Sequence, residues 1–307
     1  MSETLLLEGL DAGNPLGFLA ALGVLALSQA IAAEPRLAWR QAQGGWRPQL
    51  SGCGSDDEAL AAQLFEALRN TSSTPFTIDK KLPFSHAVYR EALHRAAECA
   101  EPGSRRNADL LAAFGSDAHQ DDKGYFVDTA LRMVRSGDAA GQGLPAYAEA
   151  IRNNTDSNDL YRVLFHTWDY QDDDFSLRWD PAEDQRYALR WHDPSQQSNK
   201  KYGLRTMRGA NALALEGLAL LPVQPKTNGI ATTGFKKLDR GGEAFTWPIW
   251  SFPATIDLVR SLLTLEEIHQ SQPNRCNLHR RGIVEIYRSE RIFQNQYYKN
   301  FSPAGPV

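Results

Sequence analysis

The sequence predicts an α+β body in two lobes, a helix-rich first lobe over residues 1–174 and a mixed, strand-containing second lobe over 175–307. Three observations predict it. Capped stretches with helical apolar spacing dominate the first half, and short aromatic and β-branched runs punctuate the second. The charge balance also changes sign between them. The first lobe holds 15 Lys and Arg against 25 Asp and Glu, the second 18 against 12, within an overall charge of −4. At 307 residues and 42% apolar composition the chain can bury a full core without a metal or a disulfide staple.

The elements follow in order. Leu5-Leu6-Leu7 reads as a short strand. A helix over 15–33 starts at the N-cap Asn14 with Pro15 in its first position, and Asp11 lies near its positive end. Gly17, Ala20, Ala21 and Gly23 make one side of that helix small enough for another element to approach closely. Leu37–Trp39 and Trp46–Leu50 form a hairpin about Gly44-Gly45. Asp56 caps a helix to about Leu68, Ser85 opens one to about Cys99, and Asp109–Phe114 is a short third. The polar run Ser116–Gly124 reads as an exposed loop, and Ala139–Pro145 as a turn before a helix over 146–153. Another helix spans Asp159–Trp168. The second lobe offers strands at Phe175–Trp179, Tyr187–Trp191, Ile230–Phe235, Phe245–Trp250 and Ile283–Ile292, with helices at Arg208–Leu220 and Pro253–Leu265 and a turn at Pro225–Asn228.

The uncharged stretch between Asp11 and Glu34 is not predicted to be a signal or a span. Acidic residues precede it where a signal carries positive charge, and Asn14, Pro15, Ser28 and Gln29 shorten its apolar part below ~20 residues. The expectation is a cytoplasmic protein with no membrane contact. Three widely spaced cysteines, Cys53, Cys99 and Cys276, read as free thiols.

Chemistry concentrates between Arg178 and Pro194. Asp180, Glu183, Asp184 and Asp193 with His192 offer oxygen and imidazole ligands to a divalent ion, but no metal-ligand spacing is met. Asp180-Pro181 and Asp193-Pro194 are turn starters, and Arg178, Arg186 and Arg190 can neutralise the carboxylates. Asp172-Asp173-Asp174 lacks the alternation and glycine of a calcium loop and reads as solvated. No nucleophile elbow, phosphate loop or dinucleotide fingerprint occurs, and no cofactor or resident metal is expected.

Cations of the second lobe suggest nucleic acid instead. Lys200, Lys201, Arg205 and Arg208 lie in or beside a polar segment, Lys236 and Lys237 follow a strand, and Arg280, Arg281, Arg288 and Arg291 stand among Tyr287, Phe293, Tyr297, Tyr298 and Phe301. Cations track a phosphate backbone and exposed rings stack on unpaired bases, whereas core rings beside a wet charged face look the same in sequence.

Several blocks together resemble CRISPR-associated accessory proteins of type I-G systems, formerly called I-U. They are Leu10-Asp11 with Asn14–Gly23, Trp179-Asp180-Pro181 with Asp184, Arg186, Tyr187 and Ala188, Arg208–Asn211 leading to Leu220-Leu221-Pro222, Phe245–Trp250, and Gly282–Ile292. The resemblance implies a subunit or helper of an antiviral ribonucleoprotein, whose partners are other effector subunits and guide RNA or target DNA. It supplies no catalytic residues. The expected function is a non-catalytic subunit that contacts nucleic acid or other subunits through the cations named above. The alternatives are a metal-dependent nuclease built on Asp180, Glu183, Asp184 and Asp193, and a scaffold that binds only proteins.

Overall fold

Asn14 caps the first helix, α1 (Pro15–Ser28), its side-chain oxygen accepting the backbone N–H groups of Leu16 and Gly17 at 2.9 and 3.4 Å. Every residue of α1 except Ala26 is buried, as a helix apolar on all sides requires. It ends short of the predicted residue 33 because the chain reaches the surface at Gln29 and Ala30. The computed structural model describes residues 4–101, 105–133, 143–173, 176–183, 205–239, 241–295 and 298–307. Among them the architecture is α+β, as predicted, with helices packed on one another and several antiparallel sheets.

The first sheet has the order β1-β3-β2, from β1 (Thr4–Leu6), β2 (Arg36–Ala42) and β3 (Gly45–Ser51). Its hairpin turns where predicted, with Gln43 and Gly44 both at positive φ, the backbone that a tight two-residue hairpin needs. Helices α2 (Asp57–Asn70), α3 (Thr74–Thr77), α4 (His86–Glu98) and α5 (Arg106–Phe114) follow. Of the polar run after them only 121–124 is a loop. Gly115–Gln120 forms β4, paired with β5 (Phe126–Asp128), and buried Tyr89 of α4 holds its start, its one hydroxyl proton shared between the carbonyls of Leu111 and Gly115 at 2.7 and 2.8 Å. That pairing comes from tertiary contacts, which polar composition does not announce.

Helices α6 (Leu144–Asn154) and α7 (Ser157–Phe165) lead to a two-residue strand, β6 (Asp172–Asp173), which pairs with β7 (Arg205–Thr206). Of the predicted strand Phe175–Trp179, residues 176–179 are not in a strand, and Tyr187–Trp191 lies outside the described residues. Buried Trp179 instead anchors its segment by donating Nε1–H to the Leu131 carbonyl at 2.8 Å. Helix α8 (Arg208–Gly217) then runs directly against α1. A methyl group on Gly23 would lie 1.7 Å from the Leu213 carbonyl oxygen, and one on Gly217 2.3 Å from that of Leu19. The two backbones touch only because both positions are glycine.

A hairpin of β8 (Val223–Lys226) and β9 (Gly229–Thr232) precedes the larger, five-stranded sheet. That sheet contains β10 (Phe235–Lys237), β11 (Glu243–Trp250), β12 (Ile283–Asn295) and β13 (Tyr298–Phe301), with β14 (Gly305–Pro306) also on β12. Between β11 and β12 lie α9 (Ile256–Leu263), a 3₁₀ turn at Glu266–His269 and α10 (Arg275–Arg280). Register assigns the two faces, since alternate residues point to opposite sides. Phe235, Phe245 and Trp247 share the inner face, where Phe18 of α1 stacks on Trp247 at 5.5 Å and on Trp39 at 5.9 Å. Lys236, Ala244, Thr246 and Arg288 share the outer one. Contacts cross the charge boundary: Trp247 Nε1 donates to the Ala12 carbonyl at 2.9 Å and Trp250 Nε1 to that of Leu37 at 2.7 Å. No helix among the described residues is long and apolar enough to cross a membrane.

Candidate nucleic-acid interface

The predicted phosphate contacts separate into cations that hold the fold and cations that do not. Arg205 pairs with Asp173 at 3.7 Å across the β6–β7 ladder. Arg208, at the start of α8, donates to the Asn154 carbonyl at 2.9 Å and lies 3.6 and 3.7 Å from the carboxylates of Asp159 and Asp172. The acidic trio predicted to be solvated is thus partly structural, with Asp172 buried between Arg162 and Arg208. Arg291 pairs with Glu243 at 2.8 Å and Arg281 with Glu267 at 3.0 Å. Such pairs leave less charge free for a phosphate. Lys200 and Lys201 lie outside the described residues. Lys236, Lys237 and Arg280 are exposed and form no ion pair with any described residue.

Of the described aromatic side chains expected to stack on bases, two pack on the core and one does not. Phe301 is fully buried among Phe235 and Phe245, and Tyr287 lies half-buried 6.0 Å from Trp247. Phe293 is exposed. Tyr297 and the side chain of Tyr298 are outside the described residues.

The carboxylates offered to the nuclease alternative are engaged as well. Asp180 Oδ1 accepts from Asn14 Nδ2 at 3.1 Å and from the Ala182 N–H at 2.8 Å, and Oδ2 accepts from the Tyr170 hydroxyl at 2.9 Å. Glu183 accepts from the Ser176 hydroxyl on one oxygen and from Thr206 Oγ1 at 2.5 Å on the other. Asn211 of α8 completes the cluster by donating to Thr206 Oγ1 at 2.9 Å and accepting the Leu177 N–H at 3.1 Å. Both carboxyls are buried. Burial, and then the charge of Asp180, pushes the Glu183 carboxyl up to about 8, so that it holds a proton at neutral pH. The Asp180 carboxyl is also raised by burial, against three donors that lower it. Asp184 and Asp193 lie outside the described residues, and no group of three His, Cys, Asp or Glu among the described residues is arranged to hold a metal ion.

One cavity does gather predicted contacts. On the outer face of the larger sheet a space of about 160 Å³ is lined by Lys236 and Lys237 from β10, Thr246 from β11, Arg288 from β12 and His269 with Gln270 from the 3₁₀ turn. The register Thr246↔Arg288 brings the two far-apart segments together, and Arg288 Nε donates to Thr246 Oγ1 at 3.1 Å. Arg288 Nη2 donates to the carbonyls of Ile268 and Gln270 at 3.3 and 2.9 Å, fixing the guanidinium to the turn. His269 Nδ1 is buried without a hydrogen-bond partner. Burial, with Lys236 and Arg288 beside the ring, holds His269 down at about 4, so the imidazole is neutral at pH 7.

His269 had no distinguishing sequence signal. It stands in no spaced histidine pattern, and its part in the cavity depends on a turn folding over a sheet formed on both sides of it in the chain. Compared with protein-family models, with curated proteins and with solved structures, the chain matches none.

Proposed function

We propose that this protein is a non-catalytic subunit of a CRISPR-type antiviral ribonucleoprotein and that it contacts the sugar–phosphate backbone of nucleic acid on the outer face of its larger sheet. One observation carries the reading: Lys236 and Lys237 remain without carboxylate partners and line a common cavity with Arg288, while Arg205, Arg208, Arg281 and Arg291 are paired. Unpaired cations at a concave surface focus field and attract a polyanion. The spaced sequence blocks described above support the ribonucleoprotein context, in which base pairing reads sequence and protein subunits hold backbone and shape.

Fluorescence anisotropy with a labelled single-stranded RNA or DNA across a salt series tests the reading. Reversing both lysines, Lys236→Glu with Lys237→Glu, is expected to weaken binding at low salt. It should also reduce the slope of log K against log salt by about 1.4, since each phosphate neutralised on a single strand accounts for ~0.7. An unchanged isotherm at low salt overturns the proposal.

A further inference from the structure

The cavity differs from an open basic strip in shape, charge and donor geometry. Its volume of about 160 Å³ falls short of the ~300–1,000 Å³ of an ordinary small-molecule site, but it adjoins a groove of about 490 Å³ that lies within that range. The two share Leu238, Asp239 and Arg288, and the groove continues along Pro303 and Pro306. A small charged compartment thus opens onto a longer one of mixed lining, with Leu238, Pro303 and Pro306 beside Glu290 and Ser302, in the proportions of a phosphate and the nucleoside attached to it.

Charge narrows the ligand further. Lys236, Lys237 and Arg288 line the cavity against one carboxylate, Asp239, and Glu266 acts on His269 from its own turn. Three cations against Asp239 suit a dianion better than the single charge of an internal phosphodiester. A phosphomonoester carries about −1.5 to −2 at pH 7. The donors are also set in advance. Arg288 is held at Nε and Nη2 by Thr246 and two carbonyls, and its Nη1 forms no hydrogen bond with a described residue. His269 lines one side with a ring that contributes no charge at neutral pH.

We infer that the cavity captures a terminal phosphomonoester of a nucleotide, with Lys236, Lys237 and Arg288 Nη1 around the phosphate and the attached nucleoside along the Leu238–Pro306 groove. The inference rests on the nucleic-acid reading above and deepens it, from backbone contact to recognition of an end. A strand terminus and a free mononucleotide share this chemistry.

The test compares one internally labelled RNA strand in three forms, with a 5′-phosphate, with a 3′-phosphate, and with hydroxyls at both ends, against the full chain at moderate salt. One phosphorylated form should bind about tenfold tighter than the hydroxyl form, the worth of one charge-assisted hydrogen bond. Lys236→Ala should weaken all three strands and the preferred phosphorylated form the most, so that the preference shrinks. Retention of the wild-type unfolding midpoint by Lys236→Ala would show that this variant is folded. A nucleoside monophosphate that displaces the phosphorylated strand at its own low concentration assigns the site to free nucleotide, and one that fails to displace it assigns the site to a strand end. Either result supports phosphomonoester capture if the phosphorylated form is preferred. Equal binding of all three strands overturns end recognition and leaves the backbone reading standing. Absence of binding by any strand overturns both.

Discussion

The Asp180–Glu183 cluster and the Lys236–Arg288 cavity are both polar and partly enclosed, but they differ in how far their polar groups are satisfied. In the first, each of the four carboxyl oxygens has a hydrogen-bond partner, among Asn14, Ala182, Tyr170, Ser176 and Thr206. In the second, two lysines have no carboxylate partner and one imidazole nitrogen has no partner at all. Folding selects for the first condition, because an unsatisfied buried group costs stability. Cations left unpaired around a cavity remain available to a ligand. The conspicuous carboxylate motif therefore holds α1 against the segment that follows Tyr170, and the inconspicuous lysines face outward.

The largest expected effect breaks the satisfied side at a third buried carboxylate. Glu216 on α8 accepts from Arg106 at 2.5 and 2.6 Å and from Arg152 at 3.2 Å. Replacing it, Glu216→Ala, strands two guanidinium groups and should lower the unfolding free energy by about 3–5 kcal/mol, read from the denaturant midpoint. Arg152 suffers most, since burial already lowers its pKa against the pull of Glu216.

The next effect sharpens the comparison through pH. Glu183 is raised from 4.5 to about 8, so the folded chain keeps a proton that the unfolded chain releases, and stability falls as pH rises between those values. His269 is lowered from 6.5 to about 4, so the unfolded chain takes up a proton first and stability falls as pH drops from 6.5 toward 4. The two slopes oppose each other between pH 4.5 and 6.5 and only the Glu183 slope remains above 6.5. The unfolding midpoint should accordingly decline between pH 6.5 and 8, and Glu183→Gln should flatten that decline. A midpoint that holds level or rises across this interval contradicts a protonated Glu183.

Much of the frame was legible in local sequence because local chemistry decides it. Asn14-Pro15 sets the start of α1, Gly44 the first hairpin, and the aromatic runs at Phe245–Trp250 and Ile283–Ile292 the two long strands of the larger sheet. Gly23 was legible as a close-approach position, although its partner Gly217 was not. The site was legible only as an inventory. Sequence offers Arg205, Arg208, Lys236 and Arg288 as equivalent cations, and only folding reveals that Asp172 and Asp173 neutralise the first two. The strand β4 was hidden for the same reason, since its pairing with β5 rests on contacts from α4 and not on its own composition.

The smallest structural effect belongs to the cavity, and it carries the most direct test. Lys236→Ala with Lys237→Ala removes exposed, unpaired side chains and should change the unfolding free energy by no more than about 0.5 kcal/mol. A single-stranded oligonucleotide at about 100 times its Kd should stabilise the wild-type chain by ~2.7 kcal/mol, and the variant by much less at the same concentration. Denaturation of both proteins with and without the strand reads the two quantities together. Equal midpoints without the strand and a shift confined to the wild type are the predicted result. A variant destabilised on its own, or one stabilised by the strand as fully as the wild type, would contradict the assignment of these lysines to binding.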